Sequence, residues 1–463
     1  MTAVVDTQMD VAARVLDLIR ARAGAAAEAE VLVDRTELAL TRFANSYIHQ
    51  NVADSTIRVR LRLHLDGRTA VGSATGFDGL SELVDRTVTA SRLSKPDPGW
   101  PGLAPPAPVT GVHHVDPAIA AATPADRADR VRAFVDAAGG LTTAGYCRTR
   151  HSSVAFANSA GQSVAGAGTE CSMDGIARTA SSDGVARRAS HRLAEVDGAV
   201  LGARAAAKAR AGENQVELPP GGYEVVLEPG AVVDVLRNVA YYGFNAKALL
   251  ERRSFVRLGE RQFDPAVTIV EDGTAPEAMS VPFDTEGTPK RRYELVSAGV
   301  TRNVAHDRRT AAQAGTESTG NAFPGARSFG PVPISVHLTP APGGGPATEV
   351  AGPAADSSVL ALVAGVRRGL LVTDFWYTRI LDPRPLVITG LTRNGLWLIE
   401  DGEITRPVQN LRFTQAYPKA LGPDAVLGVG SQTVAHPADW TGDSIVAPAL
   451  RLASWNFTGG ASG

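Results

Sequence analysis

The sequence is poor in cysteine and has no long uncharged apolar run. Only two of its 463 residues are cysteines, Cys147 and Cys171, and their spacing matches neither a zinc clip nor a disulfide framework. This usage favours a reducing compartment, so we predict a cytoplasmic protein whose two thiols are small buried side chains. No uncharged apolar stretch reaches the roughly 18 residues that a membrane span needs, and the N-terminus, with Asp6 and Asp10, does not resemble a secretion signal.

The chain also lacks an excess of charge of either sign. Its 46 lysine and arginine residues nearly balance its 48 aspartate and glutamate residues, which gives a formal net charge of -2. No overall field therefore draws the protein to nucleic acid or to a membrane, and we expect neither as a partner. Partners must be recognised locally. With 44% hydrophobic and 20% charged residues, the composition is that of a globular chain long enough for two domains.

Motifs for the common hydrolytic and nucleotide-binding sites are absent from the sequence. None of the nine histidines begins an H-E-x-x-H motif, in which two imidazoles on one helix hold zinc beside a carboxylate base. Neither a G-x-x-x-x-G-K-S/T loop nor a G-x-G-x-x-G turn entering a helix occurs. The run at residues 161–165, GQSVA, lacks the second glycine of a nucleophile elbow, and we expect His113 and His114 to be solvated linker residues. We therefore assign no catalytic residue and no metal ligand to this chain.

Hydrophobic periodicity predicts helices and a sheet in the first half of the chain. Residues 11–19 and 78–91 each place their large apolar side chains on one helical stripe. Residues 57–65 instead alternate strictly, which predicts a strand with one apolar and one charged face. The charged face carries Arg58, Arg60, Arg62 and His64. Asp66-Gly67 then predicts a hairpin turn, and Thr123-Pro124 predicts the capped start of another helix.

A break in composition predicts the domain boundary. Short strands are expected at residues 146–158, and residues 160–212 are rich in glycine, alanine and serine and end in a helical run. The sequence Pro-Pro-Gly-Gly follows at residues 219–222. We predict an N-terminal domain over residues 1–215 and a C-terminal domain over residues 216–463.

Most of the second half has strand signals. A strand is predicted at residues 223–227, and a helix with one apolar stripe follows Pro229-Gly230. Asp272-Gly273 and Asp401-Gly402 predict hairpin turns between β-branched and aromatic runs, whereas residues 315–346 read as a long irregular loop. The fold class predicted is α+β, with an N-terminal α/β sandwich-like domain and a C-terminal, mainly antiparallel, barrel-like domain.

One close pair of carboxylates has two interpretations. Asp284 and Glu286 lie two residues apart in the sequence FDTEGTP, where a turn is predicted. Such a pair can act as general acid and base. A turn that hydrogen-bonds its own backbone also uses these residues, and the sequence favours this second interpretation.

The segment VVLEPGAVVDVLRNVAYYGFNAKAL resembles the strand, Pro-Gly turn and helix that carry an H-E-x-x-x-H zinc motif in the TldD/TldE (PmbA) peptidase family. On that match, Arg237 and Tyr242 occupy the two histidine positions and Asn238 occupies the glutamate position. Arginine stays protonated and asparagine cannot act as a base, so this helix is not expected to bind zinc or to activate water. The family's C-terminal cysteine also has no counterpart in HPADWTGDSIVAPALRL.

Five further segments resemble the family in the family's order, and the resemblance covers nearly the whole chain. They are RFANSYIHQN, PFDTEGTPKRRYELVSAGV, ESTGNAF, RRGLLVTDFWYTR and TRNGLWLIEDGEITRPVQNLRFT. The missing metal ligands place the chain on the TldE (PmbA) side. The resemblance implies a subunit that pairs with a TldD-like, zinc-bearing partner, as a heterodimer or larger assembly, and takes unfolded peptides as extended strands. The chain itself is expected to bind no cofactor, and its partner would supply zinc and base.

The same resemblance suggests which loops contact the peptide. Candidates are the turn with Asp284, Glu286 and Gly287 and the segment Ser318-Thr319-Gly320, because glycine lets another backbone approach closely. Loops that pack only against their own domain are the alternative. Two rival functions stay open: a peptide-binding or regulatory module without cleavage, and an independent hydrolase that uses Cys147 or Ser318.

Overall fold

The computed structural model describes residues 2–110, 114–275, 278–344, 350, 352–437 and 444–460. The first half of the chain builds one sheet from the strands β1 (Glu28–Ala44), β2 (Tyr47–Leu65), β3 (Arg68–Thr75), β4 (Thr142–Asn158), β5 (Ser163–Arg178) and β6 (Asp183–Ser190). Their order is β3-β2-β1-β4-β5-β6, and all neighbours are antiparallel. The predicted strand at residues 57–65 is the second half of β2, and the Asp66-Gly67 turn joins it to β3 as expected, with positive φ at both residues.

The helices of this half cover one face of the sheet. They are α1 (Thr2–Ala23), α2 (Leu80–Leu93), α3 (Pro117–Ala120), α4 (Pro124–Ala137) and α5 (Gly198–Ala211), with a 3₁₀ turn at Leu193–Glu195. Val59, Leu61 and Leu63 are fully buried against α1 and α2, and Cys147 is buried against the α4 and α5 side. The apolar cluster under α1 and α2 and the one under α4 and α5 lie on the same face of the sheet, because the β1–β4 ladder that joins them is unbroken. The charged face of β2 therefore points away from all of these helices.

Two strands of this sheet have no periodic signal in the sequence. The expected short strands at residues 146–158 form one continuous strand, β4, and β5 and β6 come from the segment rich in small residues. Those residues form strands because β4 offers a ladder along the whole of β5. The lack of a side chain at Gly168 also lets the backbone of Met279 approach, since a Cβ there would lie 3.2 Å from its carbonyl oxygen.

The second half forms a closed barrel with an added sheet. Its strands are β7 (Gly221–Leu227), β8 (Ile269–Asp272), β9 (Arg292–Ser297), β10 (Val300–Thr301), β11 (Ser335–Leu338), β12 (Arg368–Asp382), β13 (Val387–Glu400), β14 (Glu403–Pro407), β15 (Leu411–Ala416), β16 (Val426–His436) and β17 (Ser444–Gly460). The ring β7-β12-β13-β15-β17 closes where β17 pairs with β7. Only the β7–β12 and β11–β17 pairs of these described strands are parallel, which agrees with the predicted barrel.

The helices of the second half are short. They are α6 (Pro229–Asn238), a π-helical turn (Val239–Gly243), α7 (Ala246–Leu250), α8 (Arg308–Ala314), α9 (Ala326–Phe329), α10 (Ser357–Val363) and α11 (Tyr417–Ala420). The predicted helix after Pro229-Gly230 is α6, whose apolar stripe of Val232, Val235 and Leu236 is buried in the barrel core. None of the helices in the described ranges has the length and apolar content of a membrane-spanning segment.

One predicted turn is wrong and another is right. Asp272-Gly273 does not close a tight hairpin, because β8 pairs with β9 across residues 273–291. Asp272 instead accepts hydrogen bonds from the backbone and hydroxyl of Thr274. Asp401-Gly402 does join paired strands, β13 and β14. The domain boundary between residues 215 and 216 stays a prediction, with the two sheets on either side of it.

We expect the aromatic core of the barrel to dominate its stability. Trp455 is fully buried, and its ring stacks on Phe375 at 4.9 Å between centroids and meets Phe413 edge-on. Trp455→Ala should lower the free energy of unfolding by about 3–5 kcal/mol. Trp376→Ala is the matched control, since Trp376 is 46% exposed, and it should cost about 1 kcal/mol or less. Urea unfolding followed by circular dichroism measures both, and equal losses would contradict this account of the core.

Candidate functional site

A cleft of about 590 Å³ lies between the N-terminal sheet and the barrel, beside α6. The sheet contributes Tyr146, Asp174 and Arg187, α6 and the π-helical turn contribute Asp234, Arg237, Asn238, Tyr241 and Tyr242, and the barrel contributes residues 374–379 of β12 and His436 of β16. The absence of a side chain at Gly230 seats α6 against the barrel wall. A Cβ there would lie 3.0 Å from the carbonyl oxygen of Thr373 and 3.3 Å from Cε1 of His436.

The π-helical turn sets which side chains of this helix face the cleft. The backbone N–H of Phe244 bonds to the carbonyl of Val239 at 3.2 Å, five residues back. In a regular α-helix, residues five apart point about 140° away from each other. The wider turn reduces that angle, so both Arg237 and Tyr242 line the cleft.

The structure therefore brings together the three positions that the sequence equates with the family's metal motif. Asn238 donates from Nδ2 to the carbonyl oxygen of Asp234 at 2.9 Å and lies 3.4 Å from its Oδ2. The Tyr242 ring meets Phe329 edge-on, with centroids 5.7 Å apart. The equation of Arg237, Asn238 and Tyr242 with metal-binding positions stays a prediction.

Sequence reasoning missed the carboxylate at the centre of this cleft. Asp234 Oδ1 accepts from the Thr378 hydroxyl at 2.8 Å, and Oδ2 accepts from the Tyr417 hydroxyl at 2.9 Å. Burial raises the pKa of Asp234 to about 6, although these two hydrogen bonds favour the charged form. The only signal in the sequence is an aspartate among the valines and leucines of the α6 stripe.

Two ion pairs tie the walls of the cleft together. Arg187 of β6 bonds through Nη1 to Asp374 Oδ2 of β12 at 2.6 Å and through Nε to Asp174 Oδ2 of β5 at 2.8 Å. Lys208 of α5 pairs with Glu228, the residue before α6, and both are almost fully buried. Burial lowers the pKa of Lys208, and Glu228 opposes that shift. The Arg187–Asp374 and Lys208–Glu228 pairs join the N-terminal half to the barrel, whereas the Arg187–Asp174 pair lies within the N-terminal sheet.

His436 at the barrel wall is a neutral imidazole. Burial, together with the nearby cations Arg187, Arg237, Lys208 and Arg188, lowers its pKa to about 3. A neutral imidazole offers one hydrogen-bond donor and one acceptor.

The residues that line this cleft do not fit a zinc ion. Within the described ranges, no group of three or more histidine, cysteine, aspartate or glutamate side chains is placed to hold a metal. Zinc is held in proteins by neutral imidazole, thiolate or carboxylate, and the permanent cation Arg237 is none of these. We therefore derive no metal-dependent step from this chain.

The DTEG residues form a self-bonded turn away from the cleft. Asp284 Oδ1 accepts from the backbone N–H groups of Glu286 and Thr288, at 2.9 and 3.0 Å. Burial raises the pKa of Asp284 to about 7, and the Glu286 carboxylate adds to that rise. Glu286 accepts from Arg62 Nη1 at 2.9 Å, and Gly287, with φ of 73°, lies against the Phe156 ring. This turn docks on the N-terminal sheet, and its contact with a peptide stays a prediction.

The Ser318-Thr319-Gly320 segment likewise bonds within its own loop. Ser318 Oγ donates to the His306 carbonyl at 3.2 Å, and Thr319 Oγ1 donates to Asn321 Oδ1 at 2.7 Å. Gly320 has φ of 76° and lies against the backbone of Pro289. None of the three lines the cleft beside α6. Their peptide contact stays a prediction.

The remaining candidates of the sequence analysis have structural positions. Cys147 and Cys171 are unpaired thiols with no exposed surface, which confirms the buried-thiol prediction. Ser163 begins β5. The His114 ring packs near His191, with centroids 5.1 Å apart, and His113 lies outside the described residues.

Several known proteins are similar to parts of this chain. A model of the PmbA/TldA metallopeptidase C-terminal domain matches residues 220–459. A metalloprotease of Methanothermobacter thermautotrophicus is 25% identical over 239 residues, 48% of each chain. A metalloprotease of Archaeoglobus fulgidus is 33% identical over 100 residues, 21% of this chain and 24% of that protein. An uncharacterized protein of Methanocaldococcus jannaschii is 37% identical over 108 residues, 23% of this chain and 26% of that protein. The matched region spans only a quarter to a half of these relatives.

Two solved structures share the fold over nearly their whole length. TldE from Thermococcus kodakarensis superposes with a TM-score of 0.82 at 18% identity, covering 98% of this chain and 99% of that one. A proposed modulator of a DNA gyrase from Thermotoga maritima superposes with a TM-score of 0.82 at 18% identity, covering 97% of this chain and 99% of that one. At this identity the likeness establishes the fold alone.

We expect the Arg187 bridge to hold the two halves together. Arg187→Met removes the cation that the partly buried Asp174 and Asp374 share and should lower the free energy of unfolding by about 3 kcal/mol. Arg188→Met removes the same charge one residue further along β6, where no carboxylate of the described chain lies within 4.0 Å, and should cost about 0.5 kcal/mol or less. Urea unfolding at neutral pH compares them. Equal midpoints would show that the bridge contributes nothing.

We expect His436 to stay neutral at pH values between about 6.5 and 4, at which an ordinary histidine gains a proton. Its pKa of about 3 lies below the value near 6.5 of an unfolded chain, so the unfolded state takes up the proton first. This group therefore contributes stability that is lost as pH falls from about 6.5 toward 3. Ring ¹⁵N chemical shifts, assigned with His436→Gln, should remain those of neutral imidazole from pH 8 to about pH 4. Titration near pH 6.5 would contradict this.

Proposed function

Because the chain belongs to the PmbA/TldD metallopeptidase family, we propose that it is the TldE-like subunit of a zinc peptidase that processes unfolded peptides. In this proposal the chain shapes the peptide cleft, and a TldD-like partner supplies zinc and the general base. The observation that supports it most is the position of Arg237, a permanent cation that lines the cleft where the sequence match expects a metal ligand.

An unpaired strand edge supports the binding of extended peptides. β7 pairs with β12 only over residues 369–372, and no other strand of the described chain pairs with that edge further along β12. Residues 374–379 of β12 line the cleft, and Trp376 and Tyr377 are exposed there. A peptide can add to such an edge through main-chain hydrogen bonds, which hold many sequences alike. Large aromatic side chains at the edge add contact area at little conformational cost.

The charges in the cleft suit binding better than bond cleavage by this chain alone. Asp234, a carboxyl group that lines the cleft, already accepts two hydroxyl hydrogen bonds, and His436 lies near several cations that disfavour its protonation. Cys147 is buried and Ser318 bonds to a backbone carbonyl away from the cleft. These positions support a division of labour in which the partner carries the chemistry. The two unpaired thiols favour the cytoplasm as its compartment.

We expect co-expression with a family member that carries H-E-x-x-x-H to yield a stable complex. That complex should contain zinc and cleave unfolded peptides, whereas this chain alone should contain no stoichiometric zinc and cleave nothing, since Arg237 replaces a ligand. Size-exclusion chromatography, metal analysis by mass spectrometry and a peptide-cleavage assay measure the three properties. The control is a complex whose partner carries glutamine in place of the motif glutamate.

The outcomes separate the proposal from its rivals. One tightly bound zinc per isolated chain, or peptide cleavage by the isolated chain, would overturn the division of labour. A stable, zinc-containing complex that binds peptides but never cleaves them would favour the regulatory or peptide-binding module instead.

A further inference from the structure

The face of the N-terminal sheet that its helices leave uncovered is rich in arginine. β2 carries Arg58 and Arg60 on this face, β4 carries Arg150, and β1 carries Arg42. The strand register spaces them along one face, because Arg58 lies opposite Asp34 of β1, Arg150 lies opposite Leu38, and Arg42 follows four residues further along β1. We call Arg42, Arg58, Arg60 and Arg150 the arginine face. Arg42 and Arg58 are exposed and the other two are half-buried.

These four arginines have no carboxylate partner in the described chain. None forms an ion pair within 4.0 Å there, whereas Arg62 and Arg148 on the same face bond to Glu30 and Glu170. Arg150 has only the Ser152 hydroxyl, at 3.1 Å from its Nε. Burial lowers the pKa of Arg60, and the neighbouring cation Arg58 lowers it further. Arg58 and Arg60 thus repel each other, and neither has an ion-pair partner among the described residues.

Two acidic residues on this face, Asp34 and Asp54, compensate this charge incompletely. Burial raises the pKa of Asp34, while Arg58, Arg60 and Arg150 act in the opposite direction. The two carboxylates thus stand among four cations, and neither forms an ion pair within 4.0 Å with any described residue, whereas Glu170, opposite Arg150, is paired with Arg148. A ligand that brings further carboxylates to this face would therefore gain from the uncompensated positive charge.

The arginine face leads into the cleft described above. Tyr146 lies on the same face of β4 as Arg150, four residues earlier, and it lines the cleft. Opposite Tyr146 in the ladder stands Asp174, which pairs with the bridging Arg187. A chain lying on the arginine face can therefore continue into the cleft without crossing a strand edge.

The spacing of the cations suits an extended chain. Arg58 and Arg150 are separated by four residues along the strands and by two strand spacings across them, about 16 Å in all. That is the length of about five residues of an extended peptide. Between the arginines the face carries the aliphatic side chains Leu38, Leu40 and Val154 and the hydroxyl groups of Thr36, Thr56 and Ser152. Single-stranded nucleic acid is bound chiefly by stacking on aromatic rings, so this lining favours a peptide.

We propose that the arginine face binds aspartate and glutamate side chains of an extended peptide whose continuation occupies the cleft, so that acidic peptides are the preferred substrate class. This inference rests on the proposed peptide-binding function and adds the sequence preference to it. Bidentate arginine–carboxylate contacts give the recognition both its strength and its direction.

The test compares labelled peptides of about ten residues, one rich in glutamate and aspartate and the other with glutamine and asparagine at the same positions. Fluorescence anisotropy with the full chain should show about tenfold tighter binding of the acidic peptide at low salt, and the preference should shrink as salt rises. The double variant Arg58→Gln/Arg150→Gln should abolish the preference. The control double variant Arg14→Gln/Arg20→Gln removes two exposed arginines of α1, on the opposite face, and should retain it.

Each other outcome has a distinct meaning. Equal binding of the two peptides, or an equal loss in the control variant, would overturn the arginine face as a peptide site while leaving the proposed function intact. Failure of both peptides to bind, alone and in the complex with the partner, would overturn the proposed function as well. Stronger binding of an oligodeoxynucleotide of the same charge than of the acidic peptide would assign the face to nucleic acid and overturn the inference.

Discussion

The cleft depends on one buried guanidinium. Arg187 extends from the N-terminal sheet and is held at once by Asp174 of that sheet and Asp374 of the barrel. The guanidinium group of Arg187 is planar and bonds to a carboxylate on each of two sides. It therefore constrains the orientation of the sheet relative to the barrel, as well as their distance, at the position of the cleft. The buried Lys208–Glu228 pair repeats the linkage at the start of α6. Both pairs thus lie beside the cleft that residues 374–379 of β12 and the side chains of α6 line.

Arg237 places a permanent positive charge in the cleft, where the sequence match proposes a metal ligand. A zinc site gathers neutral imidazoles and carboxylates around a positive ion. In this cleft, burial keeps His436 neutral, with Arg187 and Arg237 acting in the same direction, and Asp234 accepts hydrogen bonds from two hydroxyl groups. The resulting surface is polar and well hydrogen-bonded, which is suited to holding a backbone in place.

The net charge of the chain conceals how its charges are arranged. A balance of -2 excludes a strong overall field, yet the sheet separates an apolar face under the helices from a face with unpaired arginines. Because salt screens exposed charges beyond about 10 Å, such a face acts only on groups that come into contact with it. Local recognition is the consequence, and it is compatible with the proposed binding of flexible peptides.

Periodicity in the sequence was enough to predict α1, α2, the second half of β2 and α6, because each has one apolar face that must be buried. The absence of a zinc motif could be read directly, and the family resemblance predicted the barrel. The strands β5 and β6 could not be predicted, since glycine, alanine and serine carry no alternation and form strands only because β4 pairs with them. The hairpin turn predicted at Asp272-Gly273 was wrong because a local turn signal cannot show how far along the chain the strand that pairs with β8 lies.

The candidate site divides in the same way. The sequence by itself determined that Arg237, Asn238 and Tyr242 lie on one helix and that arginines alternate along β2. Tertiary structure alone decided that Arg187 meets Asp374, 187 residues away, that a π-helical turn directs Tyr242 into the cleft, and that Asp234 finds two hydroxyl donors. Spacing along a chain fixes which face a side chain occupies, but the partner it meets across that face depends on how distant segments pack.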